Sequence, residues 1–90
     1  MEFLVHISIV TPADMPSAHL AELRRREAAR AEELAGAGTL KRLWRVPGEW
    51  ANWGLWEAPD QRRLADRLAT LPLHPYMHIQ VHPLRSHLIW

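Results

Sequence analysis

The chain has 90 residues, 48% of them hydrophobic and five of them tryptophan, with eleven basic side chains against ten acidic and a formal charge of +1. That length suits one domain, residues 1 to 90, whose modest core hides only about 60–65% of the unfolded surface, so this much large apolar area favours self-association. Arginine interleaved with glutamate excludes a nucleic-acid stripe, the lack of cysteine excludes disulfide and thiolate chemistry and fits a cytoplasmic protein, and no run approaches a membrane span.

Glu2 to Val10 alternates Phe3, Val5, Ile7 and Ile9 with Leu4, His6, Ser8 and Val10. Both sets hold apolar members, which predicts a first strand covered on two sides. The same run contains His6 and lacks a basic lead-in or a small-residue cleavage site, so no signal peptide is expected. Thr11-Pro-Ala-Asp14 breaks the strand, and Pro16, with Asp14 or Ser17 as the capping residue, opens a long amphipathic helix that Gly36 and Gly38 close. At about 100° per residue, Leu23, Ala31 and Leu34 fall within roughly 60° of Leu20, and so does Glu27. One carboxylate therefore sits in the middle of the apolar stripe.

Thr39 to Val46 sets Leu40, Arg42, Trp44 and Val46 against Lys41, Leu43 and Arg45, a second strand. Pro47-Gly48 marks a turn and Trp50 to Glu57 a third strand, so the two form a hairpin, with Gly54 marking a bulge or a close backbone approach. Pro59-Asp60 starts a second helix with Leu64, Ala65, Leu68 and Leu71 at helical spacing, stopping at Pro72. Two prolines exclude a helix over Leu71 to Pro75, which reads as an ordered linker. Tyr76 to His82 is the fourth strand, with Met77, Ile79 and Val81 on one face and Tyr76, His78, Gln80 and His82 on the other. The tail from Pro83 ends on Leu88, Ile89 and Trp90, which points to docking on a neighbour. The order β-α-β-β-α-β predicts an α+β, ferredoxin-like fold with an antiparallel four-stranded sheet and both helices on one face. Large apolar side chains on the open face point to a second copy there, giving a dimeric α+β barrel.

Burial raises a carboxyl pKa, and a raised pKa suits proton transfer near neutrality, so Glu27 is the first candidate for catalysis. Helix geometry alone equally allows an ion pair with Arg24 or Arg30, or a side chain reaching water at the stripe's edge. The six histidines give no chelating pair: His78 and His82 lie about 13 Å apart on a strand, too far for ligands at about 2 Å from one ion. No metal and no cofactor are expected, and no phosphate loop or nucleophile elbow is present. Trp44, Trp50, Trp53 and Trp56 fill a core or interface as readily as they line a site. Arg42 shares a face with Trp44 while Arg45 takes the opposite one, so at least one guanidinium faces a group that must satisfy it.

Pro12-Ala-Asp-Met-Pro16, the helix carrying Glu27, Leu43-Trp-Arg45, Pro47-Gly48 with Trp50-Ala-Asn52, and Leu71-Pro-Leu-His-Pro-Tyr-Met77 together resemble the muconolactone isomerase family, in order and nearly ungapped. The resemblance covers roughly residues 1 to 87, and its register places Glu27 on the family's glutamate. It implies the ferredoxin-like fold, tight dimers within a larger ring-like oligomer such as a decamer, and a cofactor-free isomerase of aromatic catabolism, the beta-ketoadipate pathway. The implied substrate is a lactone carboxylate, most simply muconolactone, converted to 3-oxoadipate enol-lactone by a 1,3-proton transfer. Glu27 would move the proton, Arg42 or Arg45 would hold the carboxylate, and the Trp44 indole or a backbone N–H would stabilise the oxyanion. Asn52, Tyr76 and His78 complete the implied substrate-binding set. The chain departs from the family pattern at Leu40, Arg42, His74, His78, Ser86 and Leu88, which leaves two alternatives open. One is a natural-product isomerase or cyclase on the same scaffold, and the other is a non-catalytic ligand-binding dimeric barrel.

Overall fold

The computed structural model describes residues 1–87. Its elements are β1 (Glu2–Ile9), α1 (Ser17–Gly36), β2 (Leu40–Arg45), β3 (Ala51–Glu57), α2 (Gln61–Leu68), a 3₁₀ turn (His74–Tyr76) and β4 (Met77–Leu84). The four strands form one antiparallel sheet in the order β2-β3-β1-β4, the arrangement expected of a βαββαβ chain. Alternation along β1 sends Phe3, Val5 and Ile7 into the core, where none is more than 2% exposed. Register places Trp56, Gly54 and Asn52 of β3 beside them on the same face. Leu34 of α1 and Leu64 and Leu68 of α2 cover that face and close the core. The other face carries Leu4, His6 and Ser8 of β1, with Trp53 and Leu55 of β3. Trp53 packs there between His6 and His82, at ring-centroid distances of 4.7 and 6.0 Å. Among the described residues no helix is long and apolar enough to cross a membrane.

One irregularity decides which side chains reach which face. The register of β2 on β3 slips between Leu40 and Arg42, so Lys41 is an inserted residue. A one-residue insertion inverts the alternation that follows it. Leu40, which is buried, therefore shares its side of the sheet with the exposed Leu43 and Arg45, whereas Arg42 and Trp44 emerge on the open face opposite Leu55 and Trp53. This corrects the expected grouping of Leu40 with Arg42 and Trp44, and keeps the expected opposition of Arg42 to Arg45.

Pro16 occupies the N-cap of α1 and no side chain caps the helix, so neither Asp14 nor Ser17 has the expected role. The far end closes as anticipated through glycine: Gly38 adopts φ +79°, and the Thr39 and Gly38 amides donate to the Leu34 and Ala35 carbonyls. Asp60 caps α2 by accepting from the Arg63 amide at 2.8 Å. That helix stops at Leu68, short of the expected Pro72, and Ala69 closes it in the αR region with its amide donating to the Ala65 carbonyl. Leu71 is nonetheless buried, packed from the loop. The linker is not wholly extended, since Pro75 sits in the first positions of the 3₁₀ turn, where its missing N–H costs no hydrogen bond. Strand β4 runs two residues beyond His82, to Leu84. The expected docking of Leu88, Ile89 and Trp90 lies outside the described residues.

Gly54 is the close approach that its place in a strand suggested. A Cβ built there would stand 2.5 Å from Nε1 of Trp56, whose indole is 2% exposed and lies across the glycine. Gly54→Ala must therefore displace the largest side chain of the core. Overpacking of this kind costs about 1–3 kcal/mol, so the variant should melt at least about 5 °C lower. An unchanged melting temperature would mean that the indole moves aside freely.

Candidate active site

Helix α1 lies along the sheet with Leu23 and Leu34 buried and Leu20, Glu27 and Ala31 half-buried, so the apolar stripe does carry a glutamate inward. Beside it opens a cleft of about 870 Å³, bounded by α1, the β2–β3 hairpin and the segment before the 3₁₀ turn. Its lining includes Glu27 and Arg24 from the helix, Arg45 and Asn52 from the sheet, Trp50 from the hairpin and Leu73 from the loop. The hairpin turn that carries this wall is built by Pro47 and Gly48, the glycine at φ +77°, with the Glu49 amide donating to the Val46 carbonyl at 3.3 Å.

Glu27 is held by the backbone. The Leu73 N–H donates to its Oε1 at 2.9 Å across 46 residues of sequence. Leu73 is buried, and the prolines on either side keep its segment out of a helix, so its amide is free to make this bond. Loss of solvation pushes the Glu27 carboxyl above the ordinary carboxylate range. The Leu73 N–H and the nearby charge of His74 oppose that shift without cancelling it. The alternative of an ion pair with Arg24 or Arg30 is not realised: Arg30 binds Thr70 and Glu33, Arg24 lies over the Trp50 ring, and among the described residues no cation lies within salt-bridge distance of Glu27. Oε1 is thus anchored while the second oxygen keeps its lone pairs for a ligand. A carboxylate that is desolvated, oriented and unpaired can accept and return a proton.

Of the seven catalytic and substrate-binding residues that the resemblance implied, the cleft brings together three, Glu27, Arg45 and Asn52. Arg45 and Asn52 are cross-strand neighbours on the wall that faces Glu27's helix. Asn52 Oδ1 is buried with no hydrogen-bond partner, so its carboxamide has capacity left for a ligand. Arg42, Trp44 and His78 are on the other side of the sheet, Arg42 stacked 5.2 Å from the Trp44 ring and His78 paired with Ser8. Within one chain they do not reach Glu27. Tyr76 ends the 3₁₀ turn and accepts from the Val10 amide through its carbonyl, and its side chain is not part of the cleft lining. Among the described residues no three histidine, aspartate or glutamate side chains gather as metal ligands would.

Two contributors escaped the sequence reading. The Leu73 N–H has no side-chain signature, and its only hint is the proline on each side that denies it a helical partner. Arg24 was weighed only as an ion-pair partner for Glu27, yet its guanidinium carbon lies 4.4 Å over the Trp50 ring at the cleft. The three-residue spacing from Glu27 was the available hint.

Comparison with known proteins converges on one family. The model of muconolactone delta-isomerase matches residues 1–88. The chain is 39% identical to the muconolactone delta-isomerase of Cupriavidus pinatubonensis over 87 residues, 97% of this chain and 95% of the relative. It is 36% identical to the Pseudomonas aeruginosa enzyme of the same name, over 97% of this chain and 91% of that one. A crystal structure of muconolactone isomerase superposes with a TM-score of 0.90 at 38% identity, covering 98% of this chain and 92% of that one. The family match spans every described element, from β1 to β4. The chain belongs to the muconolactone delta-isomerase family.

Proposed function

We propose that this chain is a cofactor-free, cytoplasmic isomerase that converts muconolactone to 3-oxoadipate enol-lactone in aromatic catabolism, with Glu27 as its single acid/base. The ring carbon bearing the acetate arm loses a proton, the C=C bond shifts by one position, and the carbon two places away gains a proton. No electrons leave or enter. The intermediate is a dienolate whose ring resembles an oxygenated furan, which makes the first proton unusually acidic. One carboxylate on one ring face can take the proton and return it, and the unbound oxygen of Glu27 suits that task. The Arg45 fork is the holder of the acetate carboxylate. The Asn52 carboxamide, whose oxygen and nitrogen exchange by a half-turn, supplies an N–H for the lactone oxygen as it becomes negative.

The observation that carries this reading is a half-buried Glu27, anchored by the Leu73 amide and in no ion pair among the described residues, in a chain of this family. The substrate is conjugated and the product is not, so its ultraviolet absorbance should fall when purified protein is added. A rate no greater than that of buffer would overturn the proposal.

Self-association belongs to the same reading. Leu4, Trp53, Leu55 and the exposed Trp44 give the open sheet face a partly apolar surface without a covering layer among the described residues. A second copy laid sheet to sheet would cover it, and a stable pair needs roughly 800 Å² from each partner. Light scattering at micromolar concentration should give twice 10.4 kDa or a higher multiple. A stable monomer would contradict the barrel.

A further inference from the structure

The cleft holds a second guanidinium for which proton transfer and the Arg45 contact leave no task. Arg24 precedes Glu27 by three residues, so the two stand on one flank of α1 with Cβ atoms about 5–6 Å apart. Both line the cleft. The neighbouring arginines are engaged, Arg25 with Glu22 and Arg30 with Glu33 and Thr70. Arg24 has no such partner among the described residues; its one contact is the Trp50 ring, 4.4 Å from the guanidinium carbon. Glu49, next to Trp50, is the other acid of the lining, and no ion pair joins it to Arg24 among the described residues. Stacking on an indole uses the flat face of a guanidinium and leaves its in-plane N–H fork free. The ring, 4.4 Å from the guanidinium carbon, thus orients Arg24, and no hydrogen bond to another described residue consumes its donors.

Resting on the lactone reading above, we propose that Arg24, stacked on Trp50, is a second carboxylate-binding residue that forms a clamp with Arg45 and selects lactones bearing a carboxylate arm. The substrate's own geometry asks for a cation close to the base. Its carboxylate carbon is two bonds from the ring carbon that loses the proton, about 2.5 Å away. A base within about 3–3.5 Å of that carbon and a guanidinium bonded to the arm must therefore be near neighbours. Arg24, one helical turn from Glu27, meets this requirement from the same element, and Arg45 meets the arm from the sheet. A carboxylate has lone pairs enough for two forks.

The test compares the lactone acid with its neutral methyl ester. Arg24→Met keeps an unbranched side chain against Trp50 but removes the charge and the N–H fork, and Arg24 is exposed, so folding is not at risk. The acid-over-ester ratio of kcat/KM should fall about 10- to 100-fold in Arg24→Met, partly recover in Arg24→Lys, and fall less in Trp50→Leu, where the guanidinium is present but unoriented. An unchanged ratio in Arg24→Met would overturn the proposal. Calorimetric titration with the saturated lactone acid, which cannot isomerise, separates this from the isomerase reading. If wild type turns over neither lactone yet binds the saturated acid more tightly than Arg24→Met does, the isomerase reading falls and the clamp stands. Equal binding by the two proteins, or none by wild type, removes the clamp.

Discussion

Glu27→Gln is expected to lower turnover of the lactone by about 10²–10⁴-fold while leaving the fold intact and no less stable at neutral pH. Glutamine keeps the size of the side chain, and its Oε1 can still accept from the Leu73 amide that holds Glu27 at 2.9 Å. What it lacks is a transferable proton. The stability half follows from the direction of the pKa. Loss of solvation raises the folded-state pKa of Glu27 above its unfolded value. Its favourable contribution is complete below the ordinary carboxylate range and is lost as pH rises through the raised folded value. At pH 7 the ionised side chain is a net cost that the amide does not carry. A thermal melt should find Glu27→Gln equal to or above wild type, and a clear loss of stability would mean that the carboxylate is structural. Activity within threefold of wild type would remove Glu27 as the acid/base.

Arg45→Leu is expected to weaken binding of the lactone carboxylate by about 2–4 kcal/mol, roughly a 30- to 1000-fold rise in Kd. Arg42→Leu should leave that affinity unchanged, because Arg42 stacks on Trp44 on the open face, away from the cleft. The contrast is what the β2 bulge dictates, and titration of Glu27→Gln protein with muconolactone measures it without turnover. Equal losses in the two variants would require a site that draws on both faces of the sheet. No loss in either would leave the arm without its proposed holder.

The two periodicities made most of the architecture legible. Alternation in Phe3, Val5 and Ile7 and the helical spacing of Leu23, Glu27, Ala31 and Leu34 are direct consequences of period 2 and period 3.6, so the strands, the helices and the inward glutamate could all be read. A side chain announces itself where its place in such a pattern is unusual, as that of Glu27 is, whereas alternation along β2 left Arg42 and Arg45 as alternatives. The site was not legible where the pattern breaks without a marker. Lys41 carries no glycine or proline to betray a bulge, and only pairing with β3 reveals that Leu40 and Arg42 face opposite ways. That one residue moves Arg42 and Trp44 away from the cleft. Backbone donors are equally silent: the Leu73 amide reaches Glu27 only because the chain folds back across 46 residues. The stack of Arg24 on Trp50 joins a helix to a hairpin and has no local trace at all. His6 and His82 flank Trp53 on the open face, on the opposite side of the sheet from the cleft.

The most direct test of the central claim is the pH dependence of kcat/KM for muconolactone. A catalytic Glu27 must be ionised to take the first proton, and burial holds its pKa above the usual value of 4.5. The rate should therefore fall by one proton's slope as pH drops, with a midpoint above that value, and the residual rate of Glu27→Gln should lack this limb. A rate that stays level down to about pH 4.3, the ordinary glutamate range, or an identical acid limb in Glu27→Gln, would contradict the account.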